Sequence, residues 1–244
     1  MRFGVGGYRG WKTGVWALTI AALSASMFAL AACGSNSNSG NKKATGAATP
    51  AAGTPVSNTV GRVFSKAPPF IIDPNKGYVA DIKTDKGDII ITLNAKAAPY
   101  TVNNFVFLAQ QHFYDGLHFC RVIPNFVAQV CGPDNTTATG PGYTIPDEPS
   151  PLTHEQGAVA MANTGQPNSA GSQFYITLAP QHQLDGKYTV FGYVTQGFDV
   201  VQKLAPHDPS KDPGFGDAII SITITETNTP ATVPAGTPIA RPTP

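Results

Sequence analysis

Between Tyr78 and Thr84 the side chains alternate, with Ala80 and Ile82 on one side and Val79, Asp81 and Lys83 on the other. A period of two is the pattern of a half-buried strand. Asp85-Lys86-Gly87-Asp88 reads as a tight turn and Ile89–Leu93 as the returning strand, so a hairpin is predicted. The period then changes. Pro99 opens a helix with Thr101, Asn103 and Asn104 near its start, and Val102, Phe105, Val106, Leu108 and Ala109 form its apolar stripe. Tyr114-Asp115-Gly116 ends that unit.

A second hairpin follows. Val122 and Ile123 are β-branched, Pro124-Asn125 marks a turn, and Phe126, Val127 and Gln129 lie on the returning strand. Residues 132–157 are rich in loop signals. Gly157–Met161, Gln173–Ile176 and Thr189–Val194 read as further strands. Phe198–Ala205 carries Val200, Val201 and Leu204 at helical spacing and stops at Pro206. Ala218–Thr225 alternates again, with Ile219, Ile220, Ile222 and Ile224. Many short strands, two helices and Gly/Pro turns predict an all-β barrel without fixing the number of strands.

The two ends of the chain break this pattern. Arg2, Arg9 and Lys12 precede an apolar run, Val15–Ala32, that closes on Leu30-Ala31-Ala32-Cys33. Such a run with a small-residue end is a secretory signal; its alternative is an uncleaved membrane anchor, for which it is near the lower length limit. Residues 34–72 are Ser, Asn, Gly, Ala, Thr and Pro, a flexible tether. Phe64 and Phe70-Ile71-Ile72 are its apolar exceptions and are expected to pack on the domain edge. The folded domain is placed at 73–227, and 228–244 is a Thr/Pro-rich tail expected to be disordered. The net charge is +1 and only 13% of residues are charged, so no electrostatic footprint for nucleic acid is present.

The chemistry concentrates in two stretches. Phe119–Gln129 (FCRVIPNFVAQ) offers one guanidinium, one amide and several apolar groups on one patch, and Met161–Ile176 (MANTGQPNSAGSQFYI) adds a loop and an aromatic strand. Neither places a base beside a nucleophile, and no paired acid and base emerges. The patch suits an apolar ring beside a carbonyl.

Together with Leu184–Gly192 (LDGKYTVFG), these motifs, in this order, resemble the cyclophilin family of peptidyl-prolyl cis-trans isomerases over about Gly77 to Thr227. The resemblance implies a closed eight-stranded antiparallel β-barrel capped by a helix at each end, with the peptide site on its outer face. It implies Arg121 and Gln129 as catalytic residues. It implies Phe126, Val127, Ala162, Asn163, Gln173, Tyr175, Leu184 and Tyr188 as the substrate-binding set. Proline-containing polypeptides are the implied substrates of a monomer that needs no cofactor or metal. The LAAC ending resembles the bacterial lipoprotein signal, which implies lipid on Cys33 and an extracytoplasmic domain held at the cell membrane.

Some positions depart from the best-known members. Tyr175 stands where many have Phe, Val127 where some have Met, and Tyr188 where many have His. Gln183 stands where cyclosporin-sensitive members carry Trp, which implies turnover with weak cyclosporin affinity. These departures keep open a proline-peptide binding module or holdase with little turnover. A barrel holding a small apolar ligand would need a hollow interior.

Three Cys are present. With Cys33 lipidated, Cys120 and Cys131 remain in an oxidising compartment, where a disulfide can persist. Pairing Arg121 with Gln129 sets Cys120 opposite Val130, so the two cysteines meet only at a bulge or a frayed strand end. A metal held by His118, Cys120 and Cys131 is the alternative. His154, His182 and His207 lie in polar stretches and are expected to be solvated, and Asp185, Asp147 and Glu148 read as turn residues.

Overall fold

A computed structural model describes residues 62–230. The apolar run, Cys33, most of the tether and the end of the tail lie outside the described residues. Strand β1 (Gly77–Thr84) pairs antiparallel with β2 (Gly87–Leu93), in the register Ala80↔Ile91 and Ile82↔Ile89. These four side chains are fully buried, whereas Lys83 is exposed, so the alternation read from the sequence is the inside–outside alternation of the sheet.

Helix α1 (Pro99–Gln110) follows, then β3 (Arg121–Ile123), β4 (Val127–Gln129), β5 (Ala158–Met161), β6 (Phe174–Thr177) and β7 (Val190–Gln196). Helix α2 (Phe198–Lys203) and β8 (Ile219–Thr227) complete the order. All eight strands join one antiparallel sheet in the order β3-β4-β6-β5-β7-β2-β1-β8.

The expected closed barrel is corrected here to a curled sheet. No ladder joins β3 to β8, the two ends of the strand order. A short seam runs instead just before β3 and at the start of β8, with Gly116 N–H bonded to the Ile219 carbonyl (2.7 Å), Ile219 N–H to Leu117 (2.7 Å) and Phe119 N–H to Asp217 (2.9 Å). The backbones approach so closely that a Cβ on Gly216 would lie 2.1 Å from the Phe119 carbonyl oxygen, which only glycine permits.

The concave side is packed. Phe105 of α1 lies 5.4 Å from Phe174 and 5.3 Å from both Phe191 and Tyr114, centroid to centroid, so aromatic rings occupy the space that a hollow carrier would leave for a ligand. Val200 and Val201 of α2 are buried in the same core.

Helix α1 has no capping side chain of its own. Glu148, from the long loop, accepts the N–H groups of Tyr100 (2.9 Å) and Thr101 (2.6 Å), satisfying orphan donors with a negative charge at the positive end of the helix. Glu148 is therefore more than a turn residue.

Part of the segment read as tether lies against the domain. Buried Asn103 accepts Ile71 N–H (2.6 Å) and donates to the Pro69 carbonyl (3.0 Å). Phe64 stacks edge-on with Phe107 (5.2 Å) and Tyr143 (6.4 Å), and its N–H bonds the Pro141 carbonyl at 2.7 Å. Phe64→Ala should lower unfolding stability by about 1–2 kcal/mol, since aromatic pairs contribute beyond their half-buried area. Urea unfolding of the two proteins checks this, and coincident midpoints would mean that the strap adds nothing.

Candidate active site

Arg121 opens β3 and Gln129 closes β4, and the two stand directly opposite each other, the register expected from the sequence. The intervening turn places Asn125 at φ 59°, a left-handed position that Asn tolerates, and returns Phe126 N–H to the Ile123 carbonyl at 3.0 Å. Phe126 is thereby brought under the guanidinium, with Arg121 Cζ 5.3 Å from the ring centroid. Among the described residues no ion pair engages Arg121.

A cavity of about 110 Å³ is lined by Arg121, Phe126, Val127, Gln129, Ala162, Asn163, Tyr175, Leu184 and Tyr188. Nine of the ten residues singled out in the sequence thus meet at one place. The tenth, Gln173, lines an adjoining groove of about 500 Å³ with Thr137, Thr139, Gly140 and Ser172. Gln129 links the two spaces by donating to Gln173 Oε1 (3.1 Å), whose own amide donates to the Thr139 carbonyl (2.7 Å). The Asn163 side chain is occupied, donating to the Lys187 carbonyl (3.3 Å) and accepting Gly165 N–H (3.0 Å), so it ties together the loops beside the pocket.

Two expectations about histidine are corrected. His154 is fully buried, with Nε2 2.9 Å from the Tyr175 hydroxyl and Nδ1 2.7 Å from Asp185 Oδ1. His207 is also buried, with Nδ1 2.5 Å from the Cys120 carbonyl and its backbone bonded to Val122 in both directions. His182 alone of the three is exposed. Asp185, read as a turn residue, is a partner of both His154 and His182. The sequence signal for such a partner is Tyr175 itself, whose hydroxyl needs one when buried, but nothing in the sequence singles out His154 as that partner.

Burial pushes the His154 imidazole below its ordinary value, outweighing the opposing pull of Asp185. Burial also pushes the Tyr175 phenol far up, so it stays protonated. For Asp185 burial acts upward, but hydrogen bonds from His154 and His182 outweigh it and hold the carboxyl below the usual range. A buried imidazole with a lowered pKa binds its proton less readily than the unfolded chain does, so stability falls as pH drops below about 6.5. Asp185 contributes in the same direction at lower pH, where its carboxylate is finally protonated. The melting temperature should therefore fall between about pH 7 and about pH 5, and less steeply in His154→Phe. Parallel profiles for the two proteins would assign the loss elsewhere.

Cys120 and Cys131 are joined in a disulfide, with Cα atoms 5.6 Å apart. Beyond Arg121 the ladder slips by one residue, with Cys131 N–H on the His118 carbonyl (3.1 Å), and this irregularity lets the cysteines meet. The metal alternative dissolves, because the thiols are bonded to each other and His118 Nδ1 lies 2.9 Å from Asn135 Oδ1.

The site holds one guanidinium over an apolar pocket, flanked by amides, and the hydroxyl that meets a base, Tyr175 on His154, is buried and kept protonated. It can bind and polarise, and it has nothing with which to attack. Residues 79–228 match the family model described as cyclophilin type peptidyl-prolyl cis-trans isomerase/CLD. Peptidyl-prolyl cis-trans isomerase B of Bacillus subtilis is 47% identical over 130 residues, covering 52% of this chain and 90% of that protein. A peptidyl-prolyl cis-trans isomerase of Helicobacter pylori is 44% identical over 137 residues, covering 54% and 83%. The crystal structure of a Cryptosporidium parvum cyclophilin-type isomerase superposes with a TM-score of 0.58 at 32% identity, covering 61% of this chain and 98% of that one. A further structure of that protein was solved in the presence of the dipeptide Ala-Pro, with a TM-score of 0.57. Motifs, sheet order, site geometry and these likenesses agree, and the chain belongs to the cyclophilin family of peptidyl-prolyl cis-trans isomerases.

Proposed function

We propose that this chain is a membrane-tethered peptidyl-prolyl cis-trans isomerase that assists the folding of exported proteins. The isomerase activity follows from family membership. The observation that carries the mechanism is Arg121 standing over the small apolar cavity beside Phe126.

Rotation about an X–Pro bond meets a barrier of roughly 20 kcal/mol, set by amide resonance. No bond need break and no electron need move, so the enzyme has only to bind the twisted amide better than the planar one. Phe126, Val127, Tyr175 and Leu184 grip the proline ring. Arg121 donates toward the proline nitrogen, favouring its pyramidal, deconjugated form. Gln129 steadies the peptide backbone, and Ala162 and Asn163 leave room for the residue before proline. Gln173 and the adjoining groove receive the chain beyond. In this reading α1 and α2 cover the two ends of the curled sheet, and the protein works as a monomer without a cofactor.

Export is supported by the apolar run ending at Cys33 and by a disulfide that needs an oxidising compartment. Lipid on Cys33 would hold the domain a few tens of ångströms from the bilayer, given a coil reach of roughly 5–6 Å times the square root of tether length. The full chain should accelerate cis-to-trans conversion of an Ala-Pro reporter and fractionate with membranes, and Cys33→Ala should release it to the soluble fraction. Prolyl peptides that shift NMR resonances around Phe126 and Asn163 without any acceleration would instead make it a binding module. An unchanged membrane fraction for Cys33→Ala would remove the lipid anchor.

A further inference from the structure

The hydroxyl that distinguishes Tyr175 from a phenylalanine is buried, and a buried hydroxyl must be satisfied. His154 lies behind it, its ring nearly parallel to that of Tyr175 at 5.9 Å and 15°. Nε2 is 2.9 Å from the hydroxyl oxygen and Nδ1 is 2.7 Å from Asp185 Oδ1. The same carboxylate oxygen accepts His154 backbone N–H at 2.8 Å, which fixes where the histidine sits.

The direction of the chain follows from what each group can do. A carboxylate only accepts, so Nδ1 carries the ring proton and Nε2 presents a lone pair. Tyr175 O–H therefore donates to His154. Its hydrogen is committed to the protein, not to substrate, and its ring is held edge-on to Tyr188 at 5.8 Å and 81°. Both tyrosines line the cavity that contains Arg121 and Phe126.

We propose that His154 and Asp185 are positioning residues for the isomerase: acting through the Tyr175 hydroxyl, they set the wall of the proline pocket. The inference rests on that cavity being the isomerase site. Neither residue touches substrate. The charged and titratable groups around the imidazole are Asp185 and His182, the latter 3.2 Å from Asp185 Oδ2, together with Glu155, 3.8 Å from His182, and the Tyr175 phenol. Tyr193 is tied to the Thr153 carbonyl at 2.7 Å. Protonated His154 would donate from Nε2 to the Tyr175 oxygen, reversing the bond and leaving the phenol hydrogen without its acceptor.

A cycle of His154→Phe, Tyr175→Phe and the double variant tests this in the full chain with the Ala-Pro reporter. In the Tyr175 background His154→Phe should raise KM about 5- to 30-fold with a smaller change in kcat, the size expected when a buried hydroxyl loses its acceptor. In the Tyr175→Phe background the same change should alter KM less than about twofold, since no hydroxyl remains to position. A second measurement does not depend on His154→Phe folding. As pH falls below about 6.5 and His154 takes up its proton, the wild-type KM should rise, and that rise should be absent from Tyr175→Phe. Equal losses in both backgrounds, or superimposable pH profiles of wild type and Tyr175→Phe, would overturn the positioning role while leaving the isomerase intact. A wild type without turnover would overturn both.

Discussion

Arg121→Ala should lower kcat/KM toward an Ala-Pro reporter about ten- to a few hundred-fold, because a charge-assisted donor contributes about 1.5–3 kcal/mol and each tenfold is 1.36 kcal/mol. The fold should survive. Arg121 is half-buried, enters no ion pair among the described residues, and its close neighbour is the ring of Phe126, which remains packed when the guanidinium leaves. The loss should fall mainly on kcat, since the donor gains most when the proline nitrogen becomes pyramidal. Arg121→Lys should recover only part of the rate, because an ammonium keeps the charge and loses the planar fork. Full turnover by Arg121→Ala, with an unchanged melting temperature, would remove the guanidinium from the mechanism.

What the sequence made legible is what short-range periodicity and one hairpin can encode. Ala80, Ile82, Ile89 and Ile91 announce their burial by alternation, and the three-residue turn between Ile123 and Val127 sets Arg121 against Gln129. The rest of the pocket was legible only through the family motifs, since Phe126, Ala162, Asn163, Leu184 and Tyr188 lie outside the strands. The features that escaped are single polar contacts between distant positions. His154 reads as a loop residue because loops are usually solvated, yet its partners Tyr175 and Asp185 lie 21 and 31 residues away. Glu148 caps α1 across 47 residues, and Asn103 holds the strap across 31 to 34. No hydrophobic period marks such bonds. The incomplete closure of the sheet is of the same kind, since it depends on backbone bonds from Gly116–Phe119, a segment with no strand pattern of its own, to Asp217–Ile219 at the start of β8.

Replacing Cys120 and Cys131 together by alanine should cost about 3 kcal/mol, the chain-entropy value for a loop of this length, and lower the melting temperature by about 6–12 °C for a domain of this size. The link spans 11 residues and both cysteines are buried, at 1% and 0% exposure, so the substitution also removes core contacts. The effect should reach the site. Cys120 precedes Arg121 and Cys131 follows Gln129 by two residues, so the disulfide closes the hairpin at the end where the two polar site residues face each other. Below its lowered melting temperature the double variant should keep measurable turnover, because the Arg121↔Gln129 register also rests on the ladder and on the β4–β6 pairing. Thiol titration of the unfolded, unreduced protein isolated from its own cells gives the independent check. No reactive thiol from Cys120 or Cys131 is expected. Finding two would place the chain in a reducing compartment, and the export reading would then rest on the apolar run before Cys33 alone.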